Sequence, residues 1–386
     1  MRKLATIRVI ENVTPIDGAD AIECITIGGW KCVAKLNEFK RGDLCVYFEV
    51  DSILPSTDKR YEFLAKGFKE YPTEKGIMVL GHRLRTVKLR GQISQGLALP
   101  LTAFPELANK QVDADVTDIL GINKYEVLPT KGTQGRGKTN SFPSYLIKSD
   151  QERCQNMAKD IFADMNKKYE ITQKLDGSSA TYFYKDGIVG LCSRNLQLAV
   201  PDGINPAPKQ SLFAAAKKLI LKLLGKAPAA SEADLNSFWH QAANKYDIFN
   251  LLKKCGTNIA LQGEIIAPSI QAGHEKVKEL EFYVYAVQHT DKYGFLSPSA
   301  ARDIVNDLNI VADKIKLQYV PLLHKEASLQ ELGITDINAL LAYAEGGSLL
   351  NKECKVREGL VFKAVDGSGS FKVISNAYLL KKDKKD

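Results

Sequence analysis

Residues 129–143 read PTKGTQGRGKTNSFP, and a stretch with so little to bury does not run through the interior of a domain. It divides a 386-residue chain, long for a single core, into two parts. The pattern changes across it. Before it, residues 4–10, 21–27, 31–35 and 43–50 are short runs rich in β-branched and aromatic residues, punctuated by 15–18, Gly28-Gly29 and Arg41-Gly42. Runs at 76–80, 83–89 and 95–100 continue the set. Strands this short and this regularly spaced predict an OB-like β-barrel over residues 1–125, with 126–148 as linker.

Beyond the linker, helical and strand patterns mix. Helices are expected at 150–167 with Asp150 as N-cap, at 211–224, at 232–254 and at 336–344 with Thr335 as N-cap. Strands are expected at 170–174, 180–184, 188–193, 259–266, 281–287, 357–365 and 370–375. Residues 149–386 therefore read as antiparallel sheets flanked by helices, with a lysine-rich helical segment at about 200–235, and the chain as a whole as α+β. With 45% apolar and 25% charged residues it is neither collagen-like nor wholly disordered. No run approaches ~18 apolar residues, so no membrane partner is expected. Arg8 and Glu11 interrupt the apolar pattern at the start, which argues against a signal-peptide core. Seven scattered Cys without a C-x-x-C fit reduced thiols, hence a cytoplasmic or nuclear protein, expected as a monomer.

The charge is +8 and uneven. Up to residue 125 there are 18 basic and 16 acidic residues, +2, which leaves +6 beyond. Arg83, Arg85, Lys88 and Arg90 fall within eight residues that hold no acid, on one predicted strand, and are candidate nucleic-acid contacts. Residues 203–230 hold Lys209, Lys217, Lys218, Lys222 and Lys226 and no acid. Each stretch reads equally well as a solvated lysine-rich face.

Gly132 to Thr139 matches G-x-x-x-x-G-K-[ST]. A phosphate loop needs a strand before it and a helix after it, and Pro129 and Pro143 disfavour both, so a basic linker that brushes nucleic acid is the favoured reading over a true phosphate loop. The informative site is Lys174-Leu175-Asp176-Gly177-Ser178-Ser179. Alone it is a strand ending in a turn. An ordered series follows it: Ser193-Arg194-Asn195, Glu264 within 261–266, Phe282, Arg357-Glu358-Gly359 and Ser370-Phe371-Lys372. A lysine amine is a nucleophile when neutral, and Lys372 or Lys363 nearby, a bound metal and burial would favour that form in Lys174. Lys372 and a divalent cation suit the charge that builds on an attacked phosphate. Asp176, Glu264 and Glu358 are candidate metal carboxylates, holding Mg²⁺ mostly through its waters.

With this series the chain resembles the covalent nucleotidyltransferases, and within them the Deinococcus-type RNA ligases, which carry an N-terminal OB domain. The likeness extends to residues 38–43, 90–97 and 148–153. It implies ATP and Mg²⁺ (or Mn²⁺) as cofactors and three nucleotidyl transfers: lysyl-AMP on Lys174, AMP on a 5′-phosphate, and sealing by a 3′-hydroxyl. It also implies that the nucleotide site takes in Thr172, Gln173 and Glu264, that Arg194 contacts the nucleotide, that Phe282 stacks on the base and that Arg153 meets the triphosphate. Ser370 departs from the Lys-x-Lys of many RNA ligases, and Lys363 is the candidate to replace the charge. Only fourteen residues follow Lys372, which disfavours relatives whose extra domain is carboxy-terminal. The expected activity is ATP-dependent joining of RNA ends, with a nicked duplex containing RNA as partner. A GTP-dependent RNA guanylyltransferase and a non-catalytic OB-fold RNA-binding protein remain as alternatives.

Overall fold

A computed structural model describes residues 2–126, 139–205, 235–313 and 315–382. The Gly132–Thr139 motif, apart from its last residue, the five lysines between 209 and 226, and the helix expected at 211–224 lie outside them.

The front part is β-rich, as expected. Its strands are β1 (Ala5–Val9), β2 (Asn12–Pro15), β3 (Ile22–Ile27), β4 (Trp30–Lys35), β5 (Leu44–Phe48) and β6 (Ser52–Pro55), then β7 (Lys69–Pro72), β8 (Met78–Arg83), β9 (Thr86–Leu89), β10 (Gln92–Gln95), β11 (Leu97–Pro100) and β12 (Asn123–Lys124). They pair as β1-β5-β11, β2-β3-β4, β12-β6-β8-β7 and the hairpin β9-β10. Two core clusters fill the space between them, one around Phe48 and Phe104, the other around Trp30 and Tyr47. Among the described residues these ladders do not join into one closed barrel. The strand expected at 83–89 is two: Arg83 ends β8, Leu84 and Arg85 turn the corner, and Thr86 begins β9. Arg90 lies in the two-residue turn of β9-β10, where it and Gly91 both take positive φ (46° and 86°), as such hairpins require. The four basic residues therefore do not share a strand.

The second part has two sheets. One runs β13 (Asn140–Ser141), β18 (Leu196–Leu198), β17 (Ile188–Cys192), β16 (Ser178–Lys185), β19 (Ile259–Ile266), β20 (Glu281–His289), β21 (Gly294–Phe295), with β22 (Gln318–Tyr319) also on β20. The other runs β14 (Glu152–Arg153), β25 (Ser370–Ile374), β24 (Gly359–Ala364), β15 (Lys168–Lys174), β23 (Leu322–Ser328). Helices α2 (Phe238–Lys245), α3 (Ile248–Cys255) and α4 (Pro298–Ile310) bury Trp239, Leu252 and Val305 against the first. Helices α1 (Ala158–Ala163) and α5 (Ile337–Tyr343) bury Ile161 and Leu340 against the second, and α6 (Asn376–Lys382) closes the described chain.

Three helix expectations change. Residues 150–167 hold only the short α1, because Glu152 and Arg153 are drawn into parallel pairing with Phe371 and Lys372; tertiary pairing overrides local propensity. Residues 232–254 break at Asp247, whose φ of 53° ends one helix and starts the next. The cap of α5 is Asp336, accepting from the Asn338 and Ala339 amides, rather than Thr335. Helix α4, not among the expected helices, has Ser297 as cap and Pro298 in its first turn, both of them start signals present in the sequence.

The two parts touch closely. Gly29, in the β3-β4 turn, lies so near Gln155 that a Cβ there would meet its Cα at 2.5 Å. The Trp30 indole donates to Asn156 Oδ1 (2.7 Å), and Asn156 donates to Glu49 (2.8 Å).

Candidate active site

The two sheets of the second part meet where β15 passes into β16, and Lys174 is the last residue of β15. Gly177 makes this crossing possible: a Cβ there would lie 2.3 Å from the Ile265 carbonyl oxygen. Across the second sheet, Arg153 faces Lys372, Lys372 faces Val361 and Val361 faces Thr172. Opposed residues share a face, so β14, β25, β24 and β15 align a row of two cations and a threonine beside the nucleophile. This row forms one wall of a cleft of about 1210 Å³ that reaches the front part through Arg83, Lys124 and Tyr125.

Lys174 Nζ is 2.8 Å from Glu358 Oε2. Burial alone would lower its pKa, but Glu358, Glu264 and Asp176 outweigh burial and hold the ammonium above the usual lysine range. The expectation that cations keep Lys174 neutral is thus corrected for the resting protein: its carboxylate neighbours keep it charged. Lys372 behaves oppositely. Burial pulls it down to about 8, helped by Lys174 and Arg153, while Asp150 at 3.2 Å resists. Asp150 also accepts from Arg194 (3.3 Å), so it gathers two cations at the cleft instead of capping a helix.

Glu264 accepts from the Gly177 amide at 3.1 Å, and burial, with the Glu358 and Asp176 charges, raises its carboxyl to about 8. The unfolded value is 4.5. Between these values the folded protein holds a proton that the unfolded chain releases, so the stabilising protonated form is lost as pH rises toward about 8. Glu264→Gln, neutral throughout, should therefore raise stability at pH 8 by on the order of 1–3 kcal/mol, leave it nearly unchanged at pH 4.5, and slow any chemistry that uses the charge. Thermal unfolding at both pH values checks this; an equal effect at both would refute the assignment of the proton.

Other candidates fall differently. Phe282 is fully buried, edge-on to Tyr182 at 5.1 Å and packed in the core, so it does not stack on a base. The aromatic beside the site is Tyr285, three residues on and on the other face of β20; it lines the cleft with its hydroxyl 3.0 Å from Ser179 Oγ. Gln173 is buried, and its side chain donates to Glu275 and Ser348 and accepts from the Leu349 amide. Glu275, missed in the sequence, accepts from the Asp176 amide at 3.3 Å, and burial raises it to about 7. Lys363 lowers to about 7 through burial and Arg302, and its amine donates to the Tyr285 carbonyl, so it belongs to the wall below Tyr285. Arg153 is 7% exposed, with Nη1 unpaired by any hydrogen bond at the cleft. Arg83 is ion-paired to Asp51 (2.9 Å) and stacked on Tyr125 (3.7 Å), and Arg85 is half-buried. Lys88 and Arg90 are exposed.

Among the described residues no three His, Cys, Asp or Glu side chains converge closely enough to grip a metal ion. Asp176 is engaged by the Tyr378 hydroxyl (2.6 Å), Glu264 by Gly177 and Glu358 by Lys174. Asp176, Glu264 and Glu358 all act on Lys174 and all offer oxygen donors, which suits a hard cation held through its own water shell.

Comparison with known proteins agrees with this geometry. The family model for an OB-fold domain matches residues 4–101, and that for RNA ligase matches residues 167–374. No curated protein matches. The solved Naegleria gruberi RNA ligase with PPi is 40% identical with a TM-score of 0.83, the match covering 100% of both chains. A mutant of that ligase with AMP and Mn is 40% identical over 98% of this chain and 99% of the other, TM-score 0.82. A mutant with ATP and Mn is 40% identical over 99% and 98%, TM-score 0.81.

Proposed function

This chain belongs to the RNA ligase family and is an ATP-dependent RNA ligase, and from that premise we propose that it seals nicked duplexes containing RNA through lysyl-AMP on Lys174. The observation that carries the reading is the placement of Lys174 between the Glu358–Glu264–Asp176 carboxylates and the Arg153–Lys372 row. The guanylyltransferase and inert-module readings give way to it.

Three transfers follow. The Lys174 amine attacks the α-phosphorus of ATP, forming a P–N bond as pyrophosphate leaves. The 5′-phosphate of a nucleic-acid end then takes AMP from Lys174, restoring the amine. Last, a 3′-hydroxyl attacks that 5′-phosphate and AMP departs. In the first transfer Lys174 must shed the proton that Glu358 now helps it hold. Asp176, Glu264 and Glu358 would hold a divalent cation, Mn accompanying ATP or AMP in the Naegleria ligase mutants, and its positive charge would favour the neutral form of the amine. Lys372, with Arg153 beside it, faces the developing charge on the phosphate oxygens, and Asp150 holds Lys372 and Arg194 in place. Tyr285 offers the aromatic surface for the base. Lys88 and Arg90 of the front module are exposed, which supports them as the backbone contacts to the nucleic acid, and a monomer is the proposed acting form.

Incubation with radiolabelled ATP or GTP and Mg²⁺ or Mn²⁺, then with 5′-phosphorylated ends, tests this. The expected result is a covalent adduct with ATP alone and faster sealing of an RNA-containing nicked duplex than of single strands. Preferential sealing of single strands would overturn the duplex assignment while leaving the ligase intact.

A further inference from the structure

Helix α6 was not anticipated, yet its side chains reach the nucleophile's loop. Tyr378 is 3% exposed and its hydroxyl donates to Asp176 Oδ2 at 2.6 Å. Lys382, one turn on, places Nζ 2.7 Å from that hydroxyl and 3.4 Å from Asp176 Oδ1. The Tyr378 ring packs edge-on against His274, with centroids 4.9 Å apart. Asp176 thus has both carboxylate oxygens engaged from one helix.

That helix is fixed independently of Asp176. The Ser375 hydroxyl and the Asn376 amide donate to the two oxygens of Glu345 (2.6 and 2.7 Å), and the Ser375 amide donates to the Glu358 carbonyl (2.9 Å). Asn376 Oδ1 also accepts from Gln95 of the front module at 3.2 Å. The hydroxyl therefore comes to Asp176 from a frame tied to the Glu358 strand and to the OB module, which is how a carboxylate is held to one rotamer.

We propose that Tyr378, supported by Lys382, is a positioning residue of the ligase: it fixes the Asp176 carboxylate for lysine adenylylation and links that carboxylate to the docking of the OB module through Asn376 and Gln95. This rests on Lys174 and Asp176 serving the adenylylation step. The test is single-turnover lysyl-AMP formation by the full chain with Tyr378→Phe, in the wild-type and Asp176→Ala backgrounds. Phe keeps the buried ring, so the unfolding midpoint should hold while adenylylation slows about 10- to 100-fold. In Asp176→Ala the same substitution should add nothing, because the partner is gone. An unchanged rate in the wild-type background, or the same slowing in both, overturns the proposal. Should Tyr378→Phe fail to fold, Lys382→Met on the half-exposed last turn decides: about two- to threefold slower adenylylation supports the proposal and an unchanged rate sinks it. Failure of the underlying reading is separable, since it would show as normal labelling in Asp176→Ala itself.

Discussion

Lys174→Ala should form no covalent AMP adduct and seal no 5′-phosphorylated end, a complete loss at the first transfer. Only a primary amine at the end of β15 can make the phosphoramidate, and three other lysines of the cleft are placed for other work: Lys372 beside Asp150, Lys363 under the Tyr285 carbonyl, Lys382 on Tyr378. The substitution also strips Glu358 of a partner at 2.8 Å, so loss of labelling alone could reflect a disturbed site. Sealing of a pre-adenylylated strand separates the two causes. That transfer does not break a lysyl-AMP bond, and a correctly folded variant should retain it. Retained labelling would mean that the nucleophile is another residue.

Much of this site was legible in the chain because strand order converts sequence order into neighbours. Lys174, Glu358 and Lys372 sit on or beside β15, β24 and β25, three adjacent strands of one sheet, and Glu264 comes from β19, paired with the strand that follows Asp176-Gly177. Turn glycines and β-branched runs mark each of these strands. What was not legible depends on which face a residue takes. Phe282 and Tyr285 stand in one aromatic run, and only the pairing of β19 with β20, interrupted by an irregularity between Gln262 and Gly263, decides that Phe282 enters the core and Tyr285 the cleft. Asp150 has the local signature of an N-cap, but its two cations lie 44 and 222 residues away. Glu275, Tyr378 and Lys382 act through contacts to Asp176 that no short motif encodes. Basic residues misled for the same reason: Arg83 spends its charge on Asp51 inside the molecule, where composition alone suggested a surface.

The row formed by Arg153 and Lys372 makes the second large effect a matter of charge as well as position. Lys372→Ala should slow lysine adenylylation about 100- to 1000-fold, the range for removing one preorganised group that meets charge developing in the transition state. Its low pKa adds a sharper signature. With burial pulling Lys372 down to about 8, a growing fraction is neutral above that pH, so the wild-type rate should bend downward on the alkaline side even as Lys174 becomes easier to deprotonate. Lys372→Arg keeps the cation at every working pH but replaces a compact ammonium with a wider planar group beside Asp150. It should be slower than wild type near neutrality yet lose the alkaline bend. Asp150→Ala removes a carboxylate that holds the Lys372 proton in place, and should move the bend to lower pH. Single-turnover adenylylation from pH 6 to 10 reads all three. A bend that persists in Lys372→Arg would assign the alkaline loss to another group and leave Lys372 with a purely geometric part in binding the phosphate.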